Sequence, residues 1–341
     1  FEFKLSLPPW MEFFFNPFLF MGHMMAEMCE INYKLPQVQQ VLNEKWDLII
    51  FTPLLNECLY GLVHKLNTTT LIYTPTTVFT WLADNLGSPN PPSHVSSILI
   101  GYDERMNFQQ RFLNSFRTVF DWLVMHWYYW PKVQAVYRTA LGDPNIPSIP
   151  KIERNASMVL MNSHISFSPP RPLLPDMIEV GGMHLVPAKP VQPKELDDFL
   201  NGGQDGFILF TAKKGFALPP LDFVSLTEEI LLNAINEAVN NPSYRETAKK
   251  LSKIFLDQET KPLDRAVFWV EYVLRHKGAP HLRSAARDLH YIQYFSIDTL
   301  AALFVILASC ITVNVLIVRA IYRKCFGSKS TKTANSLKKK Q

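Results

Sequence analysis

Glycine is scarce in this chain, with 13 in 341 residues, and neither G-x-G-x-x-G nor G-x-x-x-x-G-K occurs. That argues against a nucleotide site built on glycine-rich loops, where exposed backbone N–H groups cradle phosphate. Cysteine is also sparse: Cys29, Cys58, Cys310 and Cys325 are the full set. Cys29 and Cys58 can pair in an oxidising compartment, but their spacing does not decide whether they do. Acidic residues are missing from Arg319 to Gln341, which holds eight Lys/Arg, so the formal net charge of +4 belongs to the tail. The preceding 318 residues carry 26 basic against 30 acidic side chains, a balance that argues against a nucleic-acid partner. The chain opens on Phe1 with no basic-then-apolar leader, and the expectation is an N-terminus cut from a longer precursor.

One long hydrophobic run is present. Thr299–Val318, "TLAALFVILASCITVNVLIV", has 20 residues without a charge, enough to span a hydrocarbon core as a helix. The basic tail after it predicts a cytosolic C-terminus by the positive-inside rule. The chain ends "KKKQ", placing Lys338 and Lys339 where a dilysine retrieval signal of the endoplasmic reticulum would stand. Cys310 falls inside the span, and Cys325 lies where palmitoylation is feasible. Two acceptor sequons, Asn67-Thr68-Thr69 and Asn155-Ala156-Ser157, agree with a lumenal body.

Short apolar runs alternating with helical patterns predict an α/β class. Trp46–Pro53, Thr69–Pro75 and Ser157–Ser163 read as strands, and "MIEVGG" as a short one. Met106–Ala140 is aromatic and helical in period, and Pro131 is expected to divide it into two helices. Core packing is the first reading of those aromatics; cover for an apolar pocket and rest on a membrane surface stay open. Ser225 and Glu228 fit a capping box, and Asn241-Pro242 opens a further helix. A final helical pattern, "LDRAVFWVEYVLRHKGAP", stops at Gly278 and Pro280. Between these parts Phe207–Phe210 reads as a buried strand, followed by Lys213, Lys214 and Pro219-Pro220.

Longer strings carry a resemblance. "WDLIIFTPLLNECLYGL", the proline-rich Gly142–Asn201 and above all "RHKGAPHLRSAARDL" are similar to animal membrane-bound UDP-glycosyltransferases, the UDP-glucuronosyltransferase superfamily. The similarity runs from Cys29 to Lys324. It implies a GT-B-like pair of Rossmann-like domains, both incomplete here, plus one C-terminal transmembrane helix. Residues 1–190 would form a partial acceptor-side domain and linker, and 191–294 the remnant of a donor-side domain. Residues 295–320 would be the span and 321–341 a cytosolic tail, in a single-pass type I protein of the endoplasmic reticulum.

The activity implied is transfer of glucuronate or glucose from a UDP-sugar to a small lipophilic acceptor. A histidine base held by an acid would do it, with no metal and no covalent cofactor. Carried over residue by residue, that chemistry meets three gaps. The unit bearing the histidine would precede Phe1, and His23 stands in another context, that of a structural or surface residue. The orienting acid would end the strand "DLIIFT", where Thr52 stands; Asp47 and Glu57 lie nearby but off that position. Only 15 residues separate Phe210 from Leu226, too few for the donor-binding units, since one βαβ unit takes about 30. Asp257-Gln258 lies in a late helix and not in a donor motif, and Lys213 and Lys214 lack the backbone cradle of a phosphate site. The expectation is a chain inactive as given, without catalytic or cofactor-binding residues. The alternative is a non-catalytic membrane partner of full-length relatives, in a homo- or hetero-oligomer.

Overall fold

The computed structural model describes residues 16–166, 168–186, 191–202 and 227–326. The expected strand Phe207–Phe210, Lys213, Lys214, Ser225, Lys338 and Lys339 lie outside the described residues. The chain divides into two compact units, Phe1–Ser284 and Ala285–Gln341.

The first unit is built on a parallel sheet of β1 (Leu48–Phe51), β2 (Thr69–Thr74), β3 (Met158–Met161) and β4 (Met177–Glu179), hydrogen-bonded in that order. The expected α/β class with a parallel sheet is what the chain adopts. Register runs Leu48 to Thr69, Leu71 to Met158 and Val159 to Met177. Such strands are apolar on both sides because parallel sheets bury both faces. Side chains alternate accordingly. Phe51, Ile72, Val159 and Met161 enter one core, while Leu71, Met158 and Leu160 enter another.

Helices α1 (Pro17–Lys34), α2 (Pro36–Asn43), α3 (Leu59–Leu66), α4 (Thr80–Asn85), α5 (Phe108–Val124), α6 (Trp130–Ala140) and α7 (Ile149–Glu153) accompany the sheet. The first, larger core lies among them and holds fully buried Tyr60, Tyr129, Trp130 and Tyr137. Close approach there demands Gly61, because a Cβ would stand 2.7 Å from the Tyr33 hydroxyl and 2.8 Å from the Tyr137 ring. Cys29 of α1 and Cys58 ahead of α3 form a disulfide, their Cα atoms 5.4 Å apart, closing a loop the spacing alone left open.

The second core is smaller. After α8 (Lys194–Asn201), α9 (Glu228–Asn240) and α10 (Pro242–Leu256), helix α11 (Pro262–Arg275) lays Ala266 and Val273 on Leu71, Met158 and Leu160. Arg265 Nη1 donates to the Glu179 carbonyl at 3.1 Å, and Gln258 Nε2 to Phe255 O at 2.9 Å. Asp257-Gln258 thus sits at the end of a late helix, as its context suggested.

Two expectations are corrected. The cap of α9 is Thr227, whose side chain accepts from Ile230 N at 3.3 Å, so the helix starts later than a Ser225 cap requires. Pro131 does not divide a helix. The chain stays helical from Phe108 to Ala140, through a π-helical stretch at Met125–Tyr129 just before the proline. Proline removes one N–H from the ladder, and the wider turn ahead of it absorbs that loss without a break.

In the second unit, α12 (Tyr291–Tyr294) is followed by α13 (Ile297–Phe326). Ile297–Cys325 is long and apolar enough to cross a membrane, and none of it is buried within the protein. Cys310 and Cys325 on it are free thiols.

Candidate functional site

In open α/β sheets, ligands bind beyond the carboxyl ends of the strands. An open cavity of about 530 Å³ lies in that region, on the sheet face shared with α11. Ile50, Thr52 and Tyr73 come from the ends of β1 and β2, and Ala266, Val267 and Val270 from α11. The walls are overwhelmingly apolar, and among the described residues Glu271 is the one charged group lining them. Its carboxylate is an exposed rim group held by Arg275 at 3.1 Å. A site of this chemistry holds a lipophilic body by apolar contact and leaves it able to present a polar group to the rim.

Thr52 stands where the resemblance calls for an acid. The structure places it at this cavity, directly after β1, its hydroxyl oxygen buried with no hydrogen-bond partner among the described residues. A hydroxyl carries no negative charge with which to steady an imidazolium. Asp47 lies exposed at the opposite end of β1. His23 is exposed on α1, its Nε2 2.8 Å from Lys132 Nζ, on a helix that contributes nothing to the cavity wall.

The carboxyls with strongly shifted acidity are elsewhere. Glu57 is buried in the first core, where the Tyr129 hydroxyl donates to it at 2.7 Å. Burial pushes its pKa up to about 7 against the hydrogen bond's opposing pull. Glu153 is likewise buried and is raised to about 7 by desolvation, although Tyr60 and Asn85 both donate to it. Neither lines the cavity beside Thr52; both are bonded to buried side chains of the first core.

The sequon asparagines occupy turns at the two ends of loops flanking the sheet. Asn67 caps α3 in the left-handed region at φ 45° and is exposed. Asn155 is also exposed, while Ser157 is buried and donates its backbone N–H to Thr70 O at 2.8 Å. Arg283 Nη2 donates to the Ser157 hydroxyl at 3.2 Å.

The resemblance singled out Thr52, whereas Tyr73, Ala266, Val267 and Val270 were missed, because no local motif marks a wall shared between strands and a distant helix. The apolar face of α11 was the available signal, and it reads equally as core. Among the described residues, no group of three or more His, Cys, Asp or Glu side chains is placed to hold a metal ion.

Comparison with known proteins gives a consistent picture. The sequence model of a family described as "UDP-glucoronosyl and UDP-glucosyl transferase" matches residues 18–212 and 211–332. The chain is 26% identical over 405 residues to UDP-glucosyltransferase 2 of Dactylopius coccus, covering 89% of this chain and 78% of that protein. It is 29% identical to UDP-glucuronosyltransferase 2C1 of Oryctolagus cuniculus, covering 66% of this chain and 64% of the relative. With UDP-glucuronosyltransferase 2A3 of Cavia porcellus the identity is 30%, over 65% of this chain and 60% of the relative. The chain therefore spans less than two thirds of the length of these two mammalian proteins. No solved structure matches it. An alignment of 405 positions exceeds the 341 residues available here, so the Dactylopius protein contains positions without a counterpart in this chain.

Proposed function

The chain belongs to the UDP-glucuronosyl and UDP-glucosyl transferase family, and on that premise we propose that it is a membrane-anchored acceptor-binding member that does not itself transfer sugar. The observation that carries the reading is the meeting of the two matched segments at residues 211–212. UDP-sugar is the family's co-substrate, and the units that would hold it have no room at that junction. Thr52 at the cavity supports the same reading, since a general base needs a charged partner to orient it. The apolar cavity favours small lipophilic acceptors as ligands, with the Glu271–Arg275 pair at the rim where a polar substituent would emerge.

The test uses the purified full chain in nanodiscs, given radiolabelled UDP-glucuronate or UDP-glucose and a panel of phenols. Binding of phenols without transfer of label is the expected result. Transfer above an enzyme-free control would sink the proposal, and so would failure to bind any phenol.

A second reading is favoured by the position of β1. It pairs only with β2 among the described residues, and Ile50 on it is 49% exposed. A full-length relative could pair with this edge, making the chain a partner or regulator. Co-purification that is lost on Ile50→Lys supports this; absence of co-purification at matched expression removes it.

The body is assigned to the lumen of the endoplasmic reticulum, with Asn67 and Asn155 as glycan acceptors and Lys338 and Lys339 as the retrieval signal. Exposure of both asparagines supports the first assignment. A glycosidase-sensitive mass shift that persists in Asn67→Gln/Asn155→Gln would refute it, and unchanged retention of Lys338→Ser/Lys339→Ser would refute the second.

A further inference from the structure

Helix α5 is built inside out. Its inward face carries Asn114, Arg117 and Asp121, all buried. Arg117 Nε donates to Asp121 Oδ1 at 2.7 Å, and Ser97 Oγ donates to Asp121 Oδ2 at 2.9 Å. Asn16, which caps α1, donates to Asp121 Oδ1 at 2.8 Å, and Asn114 donates to Pro92 O at 2.7 Å and Val95 O at 2.8 Å. The outward face is apolar: Phe108 is 75% exposed, Phe112 63%, Val119 58%, and Trp127 of the π stretch 76%. These positions follow one another by four, seven or eight residues, which places them on a single stripe of the helix.

The orientation is not interchangeable. Four of these contacts reach other segments, and Ser97 N–H adds a fifth by donating to Asn114 Oδ1 at 2.9 Å, so the helix cannot roll to hide its aromatics without breaking them. A helix held in this sense is at ease only against an apolar medium. The only acid in α5 is buried Asp121, whereas Arg111 is exposed. Exposed aromatics ending in Trp127, with a cation and no carboxylate, are the composition of a helix lying in a membrane interface. The same chain supplies that membrane. Ala285–Ser296 is all that separates the body from Ile297–Cys325, the helix of membrane-crossing length. We propose that the outward stripe of α5 rests in the surface of the bilayer, giving the body a second, peripheral attachment to lipid.

All seven tryptophans lie outside Ile297–Cys325, so tryptophan emission reports the body alone. The full chain would be reconstituted in phosphatidylcholine vesicles with and without brominated acyl chains. The expected result is strong quenching by brominated lipid, most of it lost in Trp127→Phe, and nearly all lost in Phe108→Ser/Phe112→Ser. Because those residues are exposed, the variants should keep the wild-type thermal midpoint in detergent. No quenching of the wild type overturns the proposal without reference to any variant. So does equal quenching of the wild type and Trp127→Phe. A stripe covered by a second copy would show no lipid quenching and counts as the same refutation.

Discussion

On one face of the sheet, Phe51, Ile72, Val159 and Met161 meet a thick layer of helices, a disulfide and two buried glutamates. On the other, Leu71, Met158 and Leu160 meet chiefly α11 and its flanks, and an open cavity remains beside them. The two faces of one set of strands have therefore been given different work. The first secures the fold through large rings, and the hydroxyls of Tyr33, Tyr60, Tyr129 and Tyr137 each find an acceptor. Among the described residues the second is thinly covered, and thin cover is what a ligand needs in order to reach apolar surface. Stability and access are segregated by the period-two alternation of the strands.

The largest effect should come from breaking the thick side. Trp130→Ala empties a site 2% exposed and should cost about 3–5 kcal/mol in chemical unfolding of the full chain in detergent. A loss under about 1 kcal/mol would mean the first core is not the stable one. Next is the link between α1 and the segment before α3. Cys29→Ser/Cys58→Ser opens a loop with sequence separation 29 and should cost about 3.5 kcal/mol under oxidising conditions. The same comparison under reducing conditions should show almost no difference.

The third effect depends on pH. An unfolded glutamate titrates near 4.5, while Glu153 in the fold titrates near 7. The folded chain holds the proton through that interval. The stability this contributes is complete below about pH 4.5 and is lost as pH rises through about 7. Glu153→Gln, which keeps a polar group for Tyr60 and Asn85, should flatten that fall by about 2–3 kcal/mol between pH 5 and pH 8. An unchanged slope would show that Glu153 is ionised in the fold.

The smallest stability effect belongs to the thin side. Val267→Phe adds bulk at a half-exposed position of the cavity wall, so unfolding should shift by less than about 1 kcal/mol. Phenol binding, however, should weaken about tenfold or more if the cavity is the ligand site. Unchanged binding would move the site elsewhere.

Much of this was legible in the chain of letters. The strands stood out because their apolar runs end in turn residues at Pro53 and Pro75, and Asn241-Pro242 opens α10 as its chemistry predicts. Thr52 was found through resemblance at a definite position, and it does line the cavity. The rest needed three dimensions. A Ser-x-x-Glu spacing at Ser225 cannot tell which of several hydroxyls caps, and Thr227 does. Helical periodicity in α5 revealed two faces but not which one turns inward, since a moment has the same size either way. The aromatics therefore read first as core, and only half of that holds: Tyr129 and Trp130 are buried, while Phe108 and Trp127 are not. The pairing of Cys29 with Cys58 and the wall shared by β1 and α11 depend on through-space neighbours that spacing does not encode.

The π stretch at Met125–Tyr129 gives the long helix a slipped gear. Each residue of an α-helix turns the chain by about 100°, so one wide turn rotates everything after it against everything before. Upstream, the cog teeth facing the body are Asn114, Arg117 and Asp121; downstream they are Val133 and Tyr137. Substitutions within the slip leave the two halves in mesh. Inserting a further residue there would turn α5 and α6 by about 100° relative to each other. Either the polar teeth or the aromatic ones must then disengage, so length in this segment is under tighter constraint than identity.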